Sequence, residues 1–326
     1  MKATVKAHTN IALIKYWGKR DERLFLPTNN SLSVTLDKFY TITTVEFDEQ
    51  LTSDQFYLNG NEAEAKETKK VVTFLNRVRE KANSTLFAKV TSENHVPTAA
   101  GFASSASGYA ALAAAAAKAI GLNLNERELS QLARQGSGSA SRSIFGGYVE
   151  WEKGMESDGS DCYATPILDR DAWDLRVLSV EVTTKAKKVL SREGMKRTVE
   201  TSPFFAGWLE AVDKDLITIK EALQEKDFTK LGQVVEANAL KMHATTLGAN
   251  PPFMYWQSAT VEVMQEVQAL REKGIEAYFT IDAGPNVKVV CQPDDEQKIH
   301  EALNALPVVN EIHHCRVGPG ITYIAD

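Results

Sequence analysis

The stretch PTAAGFASSASGYAALAAAAAKAIG, residues 97–121, narrows the possible folds more than any other part of the chain. Alanine is the strongest helix former, and a run of it predicts a helix whose short side chains let neighbouring elements pack close. Ahead of the run stand Gly101, Ser104, Ser105, Ser107 and Gly108. A Gly/Ser loop feeding a helix N-terminus presents unpaired backbone N–H groups at the positive end of the helix dipole, which suits phosphate. Serine hydroxyls there can donate to phosphate or ligate Mg²⁺ through oxygen. The plainer reading is a serine-capped, closely packed helix with no ligand. Neither GxxxxGK[ST] nor GxGxxG occurs, so the P-loop and dinucleotide fingerprints are absent.

Around this segment the pattern is mixed. Alternation in TITTVEF (41–47) and QFYL (55–58), the latter meeting Asn59-Gly60, predicts strands and a tight turn. Residues 62–83 read as a helix with Val71, Val72, Leu75 and Val78 on one face, followed by a strand near 86–91. Asn125 and Glu128 have the spacing of a capping box for a helix through Arg134. Residues 154–171, rich in Asp, Ser and Gly, read as a surface loop. After a strand near 177–182, helices are expected over 204–225, 228–246 and 258–273, the last closed by Gly274. AYFTI and VKVVC flank the turn DAGPN, a helix near 294–306 stops at Pro307, and ITYI is a final strand. No internal repeat and no regular βαβ alternation appear, which predicts an α+β protein of two domains, 1–184 and 185–326.

Charge and cysteine usage exclude some classes. With 37 Lys+Arg against 43 Asp+Glu, the chain lacks the basic character of a nucleic-acid or anionic-membrane binder, although a local basic pocket is compatible with it. The longest apolar run, residues 109–117, ends at Lys118, well short of the roughly 20 residues of a membrane span. The N-terminus, MKATVKAHTNIALIKYWGK, has His, Asn and Lys where a signal peptide needs an apolar core. Cys162, Cys291 and Cys315 form no CxxC pair, and their odd number argues against a disulfide framework. A cytoplasmic protein is expected, with no nucleic-acid or membrane partner.

Three other segments carry possible chemistry. In RQGSGSASRSIFGGYVEW, Ser137, Ser139 and Ser141 alternate with small residues ahead of Arg142. Such a stretch can wrap donors around an anion while the guanidinium makes a bidentate contact; otherwise it is a Gly-rich connection with a surface arginine. KYWGKR sets Lys15 and Lys19 beside Tyr16 and Trp17, by itself the end of an amphipathic strand. Asp282 closes an apolar strand in IDAGPNVKV. An Asp there is a backbone cap, or a general base where cations hold it beside a substrate proton. His243 lies in a helical pattern and reads as a packed, hydrogen-bonded histidine. His313-His314-Cys315 lacks a second ligand pair, and adjacent strand residues face opposite sides, so no metal site is expected there.

Taken in order, HTNIALIKYWGKRDERLFLPTNNSLSVTL, VPTAAGFASSAS, GSGSASRSIFGG, SREGMKRTVETS, EANALKMHATTLG and YFTIDAGPNVKV resemble one family, the mevalonate diphosphate decarboxylases of the GHMP kinase superfamily. PxxxGxxSSA alone marks only the superfamily; KYWGK, GSGSxSR and DAGPN together are similar to the decarboxylases. The resemblance implies the GHMP-kinase fold, an N-terminal α/β domain and a C-terminal ferredoxin-like domain with the active site in the cleft between them. It implies a homodimer that uses ATP and Mg²⁺ to convert (R)-5-diphosphomevalonate to isopentenyl diphosphate, ADP, phosphate and CO₂. A superfamily kinase that stops after phosphorylation, and a silent ligand-binding protein, are the alternatives.

The same resemblance implies roles for individual residues. Asp282 would be the base or polariser for the C3 hydroxyl, Lys15 would keep it ionised, and Arg142 would hold the C1 carboxylate. Substrate contacts are implied at Tyr16, Trp17, Gly18, Lys19, Lys69, Ser137, Gly138, Ser139, Ala140, Ser141, Ser191, Arg192 and Thr198. Nucleotide contacts are implied at Pro97, Ala100, Gly101, Ser104, Ser105, Ser107 and Lys187, with Ser105 also a Mg²⁺ ligand. Phe102, Leu190, Tyr148-Val149 and Ala239 depart from residues usual in the family, and none of them is a proposed catalytic group.

Overall fold

The structure is a computed structural model that describes residues 1–96, 104–185 and 188–325. The chain opens with β1 (Lys2–Ile14), β2 (Lys19–Asp21), β3 (Leu26–Pro27) and β4 (Ser31–Asp48). β5 (Gln55–Leu58) and β6 (Asn61–Glu62) form a hairpin on Asn59 and Gly60, whose φ values of 51° and 80° are those a two-residue primed turn requires. α1 (Ala65–Ala82), β7 (Phe87–His95), α2 (Ser104–Ala119) and α3 (Glu126–Arg134) follow, then a 3₁₀ turn over Gly138–Ile144, β8 (Tyr148–Trp151) and β9 (Ala164–Leu168). The remainder comprises β10 (Arg176–Glu181), α4 (Ser191–Thr201), α5 (Phe205–Glu225), α6 (Phe228–Leu247), α7 (Ser258–Glu272), β11 (Ala277–Ile281), β12 (Val287–Cys291), α8 (Glu296–Asn304), β13 (Glu311–Arg316) and β14 (Thr322–Ile324).

Two main sheets divide these strands. The first runs β14-β1-β4-β7-β5-β6, with β8 and β9 branching from β4. β4 is its spine: one side pairs with β1, while the other pairs first with β8 and then with β7. The second sheet is antiparallel throughout, in the order β11-β12-β10-β13. α2 lies against β1 and β4, and its alanines are buried, so the close approach comes from small side chains while Phe47, Phe74 and Trp151 fill the volume around it. A second core spans both halves, joining Ile11 and Leu13 of β1 to Val212 and Ile219 of α5. A third packs Val263 and Val267 of α7 and Ile299 of α8 against Leu178, Phe279 and Val289.

Several expectations are met and others corrected. Asn125 and Glu128 form the capping box, with bonds of 2.9 and 3.0 Å in the two directions. Residues 154–171 are not all loop: β9 pairs with β8 and buries Ala164, an ordering that comes from a partner strand rather than from local preference. α4 is an added helix, in a stretch too polar to declare itself. β10 belongs to the second sheet, so the change of sheet falls between β9 and β10, and β14 returns to the first sheet beside β1. Among the described residues no helix is long and apolar enough to cross a membrane.

Candidate active site

β1 ends at Ile14, and the next residue, Lys15, meets Asp282, the first residue beyond β11. Lys15 Nζ donates to Asp282 Oδ1 at 2.7 Å and to the Ala12 carbonyl at 2.8 Å. The lysine side chain is 3% exposed and the aspartate 25%, so the pair opens toward solvent on its carboxylate side. Burial alone would raise the Asp282 carboxyl, but the Lys15 ammonium, then Lys288 and Arg142, outweigh it and hold the group below its usual range. Burial drives Lys15 down from the ordinary lysine value, opposed by Asp282. The arrangement keeps an ionised acceptor beside a cation.

Arg142 comes from the 3₁₀ turn and is fully buried. Its Nη1 donates to Ser31 Oγ at 2.6 Å and its Nη2 to Asn10 Oδ1 at 3.2 Å, while Nε has no hydrogen-bond partner among the described residues. Burial pushes its pKa down to about 10, with Asp282 and Tyr16 pulling the other way. Asn10 also donates to the Ser139 carbonyl at 3.0 Å and Ser143 Oγ at 2.7 Å, fixing the turn that carries the arginine. The Tyr16 hydroxyl is buried without a partner among the described residues, and its ring stands edge-on to Trp151 at 4.8 Å. Gly138 is required by this crowding, since a Cβ there would lie 2.6 Å from Trp151 Cη2 and 3.0 Å from Tyr16 Cε1.

A second set of cations gathers nearby. Lys19 Nζ lies 4.7 Å from the Phe25 ring centroid and the Arg192 guanidinium 4.8 Å from it, and Arg192 also donates to the Gly136 carbonyl at 3.3 Å. Gly18, at φ +104°, carries the chain between Trp17 and Lys19; a Cβ would strike Phe205 and Thr28 at 2.7 Å. Trp17 Nε1 donates to Thr198 Oγ1 at 2.8 Å, and that buried hydroxyl turns back to carbonyls of α4, so the contact docks α4 onto this stretch. Ser191 begins α4. Lys69 is exposed on α1, and among the described residues no contact ties it to the other members.

Hydroxyls link the start of α2 to the 137–139 stretch. Ser105 Oγ lies 3.2 Å from Ser137 Oγ, which lies 3.3 Å from Ser139 Oγ. Ser104 and Ser105 are exposed at the start of the 16-residue α2. Ser107 and Ser141 are buried, bonded to Thr41 Oγ1 at 2.8 Å and the Gly138 carbonyl at 2.6 Å, and Ala140 is buried beside them. Pro97, Ala100, Gly101, Phe102 and Lys187 lie outside the described residues.

Sequence reasoning missed Asn10, Ser31, Phe25, Asn238 and Lys288. Asn10 stood in the quoted HTNIALIKYWGK, but its arginine partner is 132 residues away. Asn286, in the DAGPN turn, accepts from the Val182 N–H at 2.8 Å and holds that turn to the segment after β10. His313 and Cys315 face inward and His314 outward, where it meets Glu296 and His300; no metal-binding group of His, Cys, Asp or Glu occurs among the described residues.

His243 is packed and hydrogen-bonded, its Nε2 3.1 Å from the Ile281 carbonyl. Burial lowers its pKa to about 4. Between about pH 6.5, where an unfolded histidine takes up its proton, and pH 4, the unfolded chain binds more protons than the folded one. Stability is therefore complete above this window and falls as pH drops through it, by about 3 kcal/mol for this group. Urea denaturation across the window should show that slope, and His243→Gln should flatten it without abolishing it, since burial also lowers His8 and His313; an unchanged slope would place the histidine's titration elsewhere.

A carboxylate bonded to a buried lysine, with a buried arginine close by, sits in a two-domain α+β frame of the GHMP-kinase fold. Residues 7–164 match the "Diphosphomevalonate decarboxylase-like N-terminal domain", and residues 177–319 the "Mevalonate 5-diphosphate decarboxylase C-terminal domain". A diphosphomevalonate decarboxylase from Candida albicans is 38% identical over 315 residues, 92% of this chain and 87% of its own. The crystal structure of mevalonate diphosphate decarboxylase from Staphylococcus aureus superposes with a TM-score of 0.95 at 49% identity, covering 99% of this chain and 98% of that one. A structure of the protein called MDDEF in complex with MVAPP, AMPPCP and magnesium is 50% identical, with a TM-score of 0.94 over 100% and 99% of the two chains. The chain belongs to the diphosphomevalonate decarboxylase family.

Proposed function

We propose that this chain catalyses the ATP- and Mg²⁺-dependent decarboxylation of (R)-5-diphosphomevalonate to isopentenyl diphosphate, ADP, phosphate and CO₂. The observation that carries this reading is the 2.7 Å contact between Lys15 and Asp282, with Arg142 buried beside it. A tertiary hydroxyl is a poor leaving group. Asp282 takes the C3 hydroxyl proton as the oxygen accepts the γ-phosphoryl of ATP, and Lys15 holds the carboxylate ionised and meets the transferring charge. The C3–O bond then breaks with its electron pair on phosphate. Arg142 orients the C1 carboxylate, which leaves as CO₂ while the C1–C2 electrons form the alkene between C2 and C3.

The oxygen donors at the start of α2 suit a hard cation and a triphosphate. Ser105 would hold Mg²⁺, with Ser104 toward the phosphates, and the bound ion supplies screening of phosphoryl charge. Pro97, Ala100, Gly101, Ser107 and Lys187 complete the nucleotide-binding set in this reading. The complex of MDDEF with MVAPP, AMPPCP and magnesium supports the choice of ligands. Tyr16, Trp17, Gly18, Lys19, Lys69, Ser191, Arg192, Thr198 and the 137–141 turn would contact or frame the diphosphate substrate. Replacing Arg192 by Ala should raise the KM for that substrate about tenfold and leave the KM for ATP nearly unchanged, a split read by steady-state kinetics. Equal rises in both would remove Arg192 from the diphosphate site.

The same reading extends to a cytoplasmic homodimer, supported by family membership and by three buried free thiols. Sedimentation at micromolar concentration tests the dimer, and a monomer there would refute it; fractionation of cells expressing the chain tests the location. The activity is tested by following ADP and CO₂ separately with Mg²⁺, ATP and (R)-5-diphosphomevalonate. Matched release is expected. ADP without CO₂ would mean a kinase that stops, and neither product would mean another substrate or a silent binder.

A further inference from the structure

Helix α6 contributes no group to the chemistry above, yet it holds both ends of the Lys15–Asp282 pair from behind. Asn238 Oδ1 accepts the Lys15 backbone N–H at 2.8 Å, and Asn238 Nδ2 donates to Asp215 Oδ2 of α5 at 2.8 Å. Asp215 is itself held by Lys241 Nζ at 2.7 and 3.0 Å. The amide therefore has only one useful orientation, its oxygen toward an N–H and its nitrogen toward a carboxylate.

Five residues along the same helix, His243 Nε2 faces the Ile281 carbonyl at 3.1 Å. A carbonyl only accepts, so Nε2 carries the proton and donates. That carbonyl belongs to the peptide bond leading into Asp282. The imidazole is 2% exposed, and it lies against Trp256 and edge-on to Tyr255, with centroid separations of 4.9 and 6.2 Å. Asn286 holds the far side of the same turn through the Val182 N–H. Residue 282 thus hangs between two fixed points.

We propose that His243 and Asn238 are positioning residues, through which α6 sets the separation between the Asp282 carboxylate and the Lys15 ammonium. Lys15 follows a strand of the first sheet and Asp282 a strand of the second, and no strand pairing joins β1 to β11. Their 2.7 Å contact needs a common reference, and α6 is an element bonded to both. A displacement of about 1 Å at a reacting pair is enough to cost about a hundredfold in rate. The inference rests on the proposed function for its kinetic consequence, but not for its geometry.

The test compares His243→Leu with His243→Gln, whose amide nitrogen can stand where the imidazole Nε2 was. The leucine variant should lower kcat about 30-fold with both KM values within about threefold of wild type, and glutamine should restore kcat to within about threefold. Asn238→Ala should likewise lower kcat and spare both KM values, which keeps the test open if the leucine variant does not fold. A purely structural role would lower Tm without that split, and equal losses in the leucine and glutamine variants would overturn the assignment to His243. Crystal structures of the His243→Leu and Asn238→Ala variants provide a readout independent of activity. The Lys15–Asp282 separation should exceed 2.7 Å, and an unchanged separation in both overturns the proposal. An inactive wild type whose variants show the displaced pair would sink the functional reading alone.

Discussion

Asp282→Asn should lower kcat by about 10³-fold while leaving nucleotide affinity close to that of the wild type. The amide keeps the size and one acceptor of the carboxylate, but it can neither take the hydroxyl proton nor offset the charge on Lys15. In the wild type, Asp282 is held ionised against the cost of its own burial by the Lys15 ammonium, Lys288 and Arg142. A depressed carboxyl loses its function only as pH falls through its lowered pKa, below the ordinary aspartate value of about 3.9. Across about pH 5 to 8 the base is therefore ionised throughout, and kcat/KM should show no acid limb that belongs to it. The asparagine variant also leaves Lys15 buried without its partner, which pushes the lysine further down and lowers Tm. Rapid-quench measurement of ADP formation, with calorimetric titration of nucleotide, separates these effects. Near-normal turnover in a folded variant would end the assignment of Asp282 as base.

What the sequence disclosed follows from the range over which each feature is encoded. The α2 alanines, the Asn59-Gly60 turn and the Asn125–Glu128 cap are local: a propensity, a backbone conformation and a three-residue reach. β9 and α4 are not. β9 contains Pro166 and exists because β8 is there to pair with, and α4 is polar along most of its length and is held in part by the bond from Trp17 to Thr198. The same division runs through the site. Motif resemblance named Lys15, Arg142 and Asp282 because each is a charged group in a recognisable stretch; Asn10, Ser31 and Asn238 stand in such stretches too, but as uncharged residues. The groups that orient them, Asn10 and Ser31 for Arg142 and Asn238 for Lys15, lie 132, 111 and 223 residues from their partners. An asparagine on a helix or strand carries no local mark of such a duty. His243 could be read as packed and hydrogen-bonded from its apolar surroundings, but which carbonyl it meets depends on how α6 lies against β11.

Arg142→Lys should separate the two halves of the reaction. The substitution keeps a positive charge but loses the planar fork, so the bonds to Ser31 and Asn10 cannot both be made in the same geometry. In the wild type those bonds engage the two terminal nitrogens of a fully buried guanidinium, and Nε has no protein partner among the described residues. A buried donor left unmatched costs free energy unless something else meets it, and the C1 carboxylate of the substrate is an acceptor of the right charge. Phosphoryl transfer depends on Asp282 and Lys15, which the substitution leaves in place. Loss of CO₂ requires the carboxylate to be aligned with the departing phosphate, which is the task assigned to Arg142. The lysine variant should therefore lower the decarboxylation rate about 10²-fold and the phosphorylation rate by much less. In a single turnover ADP should appear first and CO₂ should lag behind it, whereas the wild type releases the two together. A variant in which both products slow by the same factor would show that Arg142 serves the site as a whole, and the carboxylate would need another holder.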